Sequence, residues 1–292
     1  MEFTGAFTAL VTPFKNNTVD EEAYRRLIEW QIEQGIHGLV PCGTTGESAT
    51  LSHEEHKRVI SICVDQVKGR IPVLAGAGSN NTSEAIDLTR YAMEAGADGA
   101  LLITPYYNKP TQDGLIAHFE AIAKEIPIPF VVYNVPGRTS VNLLPQTLAR
   151  MVEKIPQIIG IKEATGDLKQ VSEVIEYCGP DFVVLSGDDF TSLPLLSLGG
   201  KGVISVVSNI VPKMMAGMCT AFFENNMARA QKLHFDMAPL CRAMFLETNP
   251  IPVKTSLHLM GRLGLELRLP LIPMQPENTT LLEGALGKAG LL

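Results

Sequence analysis

The sequence predicts an α/β fold, a (β/α)8 TIM barrel with a small C-terminal helical appendage. Three observations lead there. Eight short, β-rich apolar runs alternate with amphipathic helical stretches. The runs lack polar alternation, as strands buried on both faces must. The length of 292 residues suits one α/β barrel. A doubly wound sheet would favour Gly-x-Gly-x-x-Gly after the first strand, where this chain has "VTPFKN".

The runs are "AFTALV" from Ala6, "GLVPCG" from Gly38, "IPVLAGAG" from Ile71, "GALLITP" from Gly99, "FVVYNVP" from Phe130, "IIGIK" from Ile158, "FVVLSG" from Phe182 and "GVISVV" from Gly202. Helical patterns between them include "DEEAYRRLIEWQIEQG", "SHEEHKRVISICVDQVKG" and "NTSEAIDLTRYAMEAG". The second opens on Ser52 with Glu55 three residues on, a capping-box pattern. The third has a less clear cap, and a glycine closes all three. The units end near residue 224, so residues 1–224 are expected to form the barrel. Residues 225–292 read as three further helices punctuated by Pro250, Pro252, Pro270, Pro273 and Pro276.

Composition narrows the function. The net charge is −7 with no basic block, so no nucleic-acid partner is expected. No apolar run approaches the ~20 residues of a membrane span. The start, "MEFTGAFTALVTPF", lacks the basic region and long apolar run of a signal peptide. Five cysteines, odd in number and without Cys-x-x-Cys, read as reduced thiols in a cytoplasmic protein.

Barrel chemistry belongs at the C-terminal strand ends, and unusual polar residues stand there. The second strand runs into "GTTGE" with Thr44 and Thr45, and the fourth into "TPYYNKP" with Tyr106 and Tyr107. The fifth ends in "YNVPGRT" with Tyr133 and Arg138, and the sixth at Lys162. An exposed lysine, with a pKa of ~10.4, offers little free amine at neutral pH, but burial lowers that pKa. Lys162, after "IIGI", is then a nucleophile able to form a Schiff base with a carbonyl. The alternative is an ion pair with Glu163 or Asp167. Adjacent strand residues face opposite ways, which makes Glu163 a poor partner, yet the pattern alone leaves both readings open. The apolar neighbours would depress the pKa, and Gly160 would leave room beside the amine. Lys201 and Lys254 offer less.

Tyr133 is either packing or a proton donor. Thr44 and Thr45 are either turn residues or hydroxyls for a carboxylate. Arg138 is either a surface ion pair or a fork for a second carboxylate. His53 and His56 lack His-Glu-x-x-His spacing, and Asp188 with Asp189 is a weak metal signal. "GAGSNN" lacks the full dinucleotide fingerprint, so neither metal nor organic cofactor is implied.

The motifs "GTTGESATL", "TPYYNKPTQDGL", "YNVPGRT", "IIGIKEATGDL" and "LSGDD", in this order, resemble the dihydrodipicolinate synthases. The resemblance runs from "GAFTALVTPF" to "KAGLL". It implies a lyase of diaminopimelate and lysine biosynthesis that condenses pyruvate with L-aspartate 4-semialdehyde through a lysine Schiff base. Lys162 matches the Schiff-base lysine, and Tyr133, Thr44 and Tyr107 the proton relay, Tyr107 reaching into a neighbouring subunit. Thr45 matches the pyruvate carboxylate binder and Arg138 the receiver of the second carboxylate. Gly187 and Ile204 match backbone contributors. Ser48, Ala49, His53, His56, Asn80, Glu84 and Tyr106 match a feedback site for L-lysine as inhibitor. The resemblance also implies a homotetramer built as a dimer of dimers, with Leu168 at a contact. N-acetylneuraminate lyase and the keto-deoxy sugar-acid aldolases share the lysine, the tyrosine and the Gly-x-x-Gly-Glu turn, so "YNVPGRT" carries the discrimination. A catalytically silent barrel that senses a keto acid or amino acid would be expected to lack Lys162, Tyr133 or Arg138, and all three are present.

Overall fold

The computed structural model describes residues 3–292. The eight predicted strands form: β1 Gly5–Ala9, β2 Gly38–Val40, β3 Leu74–Gly76, β4 Gly99–Ile103, β5 Phe130–Asn134, β6 Ile158–Glu163, β7 Val183–Ser186 and β8 Gly202–Ser205. β1 pairs in parallel with both β2 and β8, and from β3 to β8 each strand pairs in parallel with the next. A parallel bridge between Leu39 and Val73 joins β2 to the residue before β3 and completes the ring. Phe7, Val40, Leu74, Leu101, Val131, Leu185 and Ile204 fill the interior as a packed plug.

The helices are α1 Glu21–Glu33, α2 His53–Val67, α3 Thr82–Glu94, α4 Gln112–Glu125, α5 Pro136–Thr139, α6 Pro145–Lys154, α7 Leu168–Cys178, α8 Ser192–Ser197 and α9 Pro212–Phe223. Then follow α10 Met227–Ala243, α11 Ile251–Leu259 and α12 Pro276–Lys288. Their starts are written in local chemistry. Asp20 caps α1 by accepting from the Ala23 N–H. Ser52 and Glu55 form the full reciprocal box on α2. The third helix, unclear in sequence, is capped by Asn81, which accepts from the Ser83 N–H. Gly35, Gly69 and Gly96 follow the three helix ends at positive φ, where a Cβ would be strained. Buried Leu240, Met244, Leu257 and Leu282 of the later helices share one apolar cluster with Leu10, Ile28 and Ile60.

All five cysteines are free, and burial pushes the Cys63 thiol up to about 12, where it is inert. Among the described residues no helix is long and apolar enough to cross a membrane.

The ring closes at a seam where Gly5 and Gly202 are direct partners. A Cβ on Gly202 would run into the Gly5 carbonyl, a backbone atom that cannot step aside. Gly202→Ala should therefore lower the unfolding free energy by about 2–3 kcal/mol, read as a lower urea midpoint at unchanged slope.

Candidate active site

The parallel register of β5 and β6 sets Tyr133 beside Lys162 and Asn134 beside Glu163. Strand alternation then sends the two pairs to opposite faces. Tyr133 and Lys162 point inward at the barrel mouth, both about 7% exposed, with the Lys162 Nζ 4.1 Å from the Tyr133 ring centroid. Outward, the Asn134 amide donates to Glu163 Oε2 at 3.1 Å, as does Gln170 Nε2, while the Thr165 N–H donates to Oε1 at 2.8 Å. Asp167 caps α7 through the Lys169 and Gln170 N–H groups. Both ion-pair partners that the sequence offers Lys162 are thus engaged elsewhere.

Burial draws the Lys162 pKa down to about 7; the Asp189 carboxylate works against that shift and the Arg138 guanidinium with it. At pH 7 about half the amine is then free, against roughly one molecule in a few thousand for an ordinary lysine. Burial also raises the Tyr133 phenol above its usual range, with Arg138 and the Thr44 hydroxyl opposing.

These groups line a cavity of ≈ 280 Å³. Its wall includes Thr44 and Thr45 after β2, Arg138 from α5, Thr165 after β6, Gly187 and Asp188 after β7, and Phe245 and Asn249 after α10. Arg138 is exposed and donates to the Asn249 carbonyl at 3.4 Å. Thr45 is buried, and its hydroxyl accepts from Asn249 Nδ2 at 3.0 Å. A Cβ at Gly187 would strike the Ala164 Cβ at 2.5 Å and crowd the Lys162 Cε at 3.1 Å, so the glycine lets β7 end close against the Ala164 loop and the lysine side chain. Gly160, expected from sequence to give the amine room, instead admits the Val183 backbone of β7, because a side chain at 160 would strike it.

Ile204 packs in the barrel interior with Tyr133 and is absent from the cavity wall. Tyr107 is 91% exposed at positive φ, so this chain does not bring it to its own Tyr133 and Thr44. Sequence reading missed Asn249 and Phe245 at the site. It weighed Asp189 only for a metal, but Asp189 binds the Val206 and Val207 N–H groups through one oxygen. Its other oxygen is buried, and burial raises its pKa to about 6, with the Ser205 hydroxyl and the two N–H groups opposing. Asp188 is held by the Thr191 N–H and hydroxyl.

A second cavity of ≈ 470 Å³ is lined by Ser48, Ala49, His53, His56, Glu84 and Tyr106. Burial lowers the His56 pKa, with the Gly76 carbonyl opposing, and its Nε2 lies 2.7 Å from that carbonyl. Glu84 accepts from the Ser79 hydroxyl at 2.8 Å. Asn80 stands outside this wall, its amide donating to the Tyr106 carbonyl at 3.2 Å.

Residues 2–289 match the model of the Dihydrodipicolinate synthetase family. The chain is 70% identical to 4-hydroxy-tetrahydrodipicolinate synthase of Nitratidesulfovibrio vulgaris, with all of both chains covered (100% each). A crystal structure of dihydrodipicolinate synthase is 52% identical at a TM-score of 0.97, covering 99% of this chain and 100% of that one. The chloride-inhibited enzyme of Acinetobacter baumannii, complexed with pyruvate, is 45% identical at 0.97, with 100% of each covered. The enzyme of Cyanidioschyzon merolae with lysine bound is 41% identical at 0.96, with 99% of each covered.

The pH dependence of amine labelling follows from these charges. Adduct formation by a 2-oxo acid, trapped with borohydride, should rise through a midpoint near pH 7, because the ammonium below it has no lone pair. Asp189→Asn should move that midpoint to lower pH and Arg138→Ala to higher pH. The trapped fraction against pH checks both.

Proposed function

The chain belongs to the dihydrodipicolinate synthetase family, and we propose that Lys162 is the residue through which it works. Its activity is that of a lyase, the synthesis of 4-hydroxy-tetrahydrodipicolinate from pyruvate and L-aspartate 4-semialdehyde in diaminopimelate and lysine biosynthesis. One observation carries the assignment of the chemistry: a buried amine with a pKa of about 7 at the barrel mouth, in one small cavity with Tyr133, Thr44, Thr45 and Arg138.

The free amine of Lys162 attacks the ketone carbon of pyruvate to give a carbinolamine, which loses water to form a cationic imine. Tyr133 passes the protons of these steps, with Thr44 beside it and Tyr107 supplied by a neighbouring copy. The Thr45 hydroxyl and turn N–H groups hold the pyruvate carboxylate. The imine is the electron sink, so loss of a methyl proton gives an enamine without metal or organic cofactor. Enamine carbon attacks the aldehyde, while Arg138 receives the second substrate's carboxylate. The substrate's own amine then closes the ring and expels Lys162. Gly187 and Ile204 contribute backbone near the reacting atoms.

The second cavity is read as an L-lysine feedback site, with Glu84 pairing the ligand's cationic amine and Asn80 at its rim. The lysine-bound relative at 41% identity supports this reading. A cytoplasmic homotetramer, a dimer of dimers, accompanies it. The exposure of Tyr107 and Leu269, at 91% and 79%, favours burial against another copy. Residues 1–224 form the catalytic barrel and 225–292 the helical appendage.

Arg138→Ala should raise the KM for the aldehyde by about 10–100-fold while leaving the trapped pyruvate adduct in place, as coupled steady-state kinetics would show. Millimolar L-lysine should inhibit turnover, and Glu84→Gln should weaken that inhibition by about tenfold or more. Activity indifferent to lysine would remove the feedback reading.

A further inference from the structure

Glu47 and Lys254 stand 207 positions apart in sequence and form an ion pair with both side chains fully buried, at 0% exposure each. The catalytic scheme uses neither. The Lys254 ammonium donates to Glu47 Oε1 at 2.5 Å and to the Glu266 carbonyl at 2.6 Å, and lies 4.4 Å from the Phe14 ring centroid. The Arg268 N–H donates to Glu47 Oε2 at 3.3 Å. The other described ion pairs all retain solvent exposure on at least one side chain.

Its place in the chain gives the pair a target. Glu47 ends the "GTTGE" turn, and its N–H donates to the Thr44 carbonyl at 3.1 Å. Its φ is +55°, a left-handed conformation that a residue with a Cβ holds only when its surroundings enforce it. Two other contacts hold the same turn: the Thr12 hydroxyl donates to the Gly46 carbonyl at 2.7 Å, and Asn249 donates to Thr45. A buried pair is a poor means of adding stability, because desolvation offsets most of the attraction. It is a good means of fixing geometry, since neither charge tolerates separation from the other.

We propose that Glu47 and Lys254 are positioning residues that hold the Thr44–Thr45 turn at the height over Lys162 where it meets the pyruvate carboxylate. The inference rests on the reading of Thr45 as the carboxylate binder. Through Lys254, the set of the catalytic turn depends on α11, far along the chain.

Two variants test this by steady-state kinetics beside circular dichroism and thermal melting. The neutral pair Glu47→Gln with Lys254→Met removes both charges together, and Glu47→Asp keeps the charge while shortening the reach by one carbon. Each should fold, raise the KM for pyruvate by about tenfold, and leave kcat at saturating pyruvate within about threefold. Should the double variant not fold, Glu47→Asp decides alone. A folded variant with the wild-type pyruvate KM, changed only in melting temperature, overturns the proposal. Thr45→Ala separates the two levels: an unchanged pyruvate KM there refutes the reading of the turn itself, whatever the ion pair does.

Discussion

Removing one amine from water is the constraint on which the rest of this structure depends. An ammonium at Lys162 would be poorly solvated, so the group sits near its neutral form at ordinary pH. The barrel supplies that environment through Val131, Leu185 and Ile204, packed in the same interior cluster as Tyr133. Desolvation alone would serve a nucleophile but not the cationic imine that follows. Asp189, buried with one oxygen on the Val206 and Val207 N–H groups that follow β8, supplies opposing charge. Its pull on Lys162 is outweighed by desolvation of the free amine, and on the proposed mechanism it would offset the positive charge of the imine.

The strand period turns this one demand into two faces of structure. Tyr133 and Lys162 look into the cavity; Asn134 and Glu163, one residue on, are joined on the other side with Gln170 and Asn142. That outer network is satisfied at each Glu163 oxygen, and Glu163 also fixes the Thr165 N–H, so the loop lining the cavity is set from behind. The two cavities meet at Thr44, Arg138 and Asn249, which line both. On the proposed reading, a ligand filling the larger one would share these three side chains with the Lys162 cavity, a short physical route for coupling.

The barrel and most of its mouth were legible because their signals are local. Apolar runs, the Ser52–Glu55 box and the position of Lys162 at a strand end need only a few neighbouring residues. The same local logic makes Glu163 a poor partner for Lys162, and the register puts the two side chains on opposite faces. What escaped is made by distant segments. Asn249 reads as an ordinary residue in a proline-rich link, yet it donates to Thr45 from 204 positions away. Lys254 looked unremarkable in a helical tail and proves fully buried against Glu47. Gly160, expected to give the amine room, admits the Val183 backbone instead, because only the packing of β7 on β6 tells which way it faces. Asp189 was weighed for a metal since one-dimensional spacing shows a carboxylate without the N–H groups that claim it.

The central claim is that Lys162, and no other amine of this chain, forms the covalent bond. Borohydride reduction in the presence of pyruvate, followed by peptide mass mapping, tests it directly. The account predicts a single reduced pyruvyl adduct per chain, on the peptide containing Lys162 and absent from Lys162→Ala. An adduct on Lys254, Lys201 or any other lysine, or full turnover by Lys162→Ala, would contradict it.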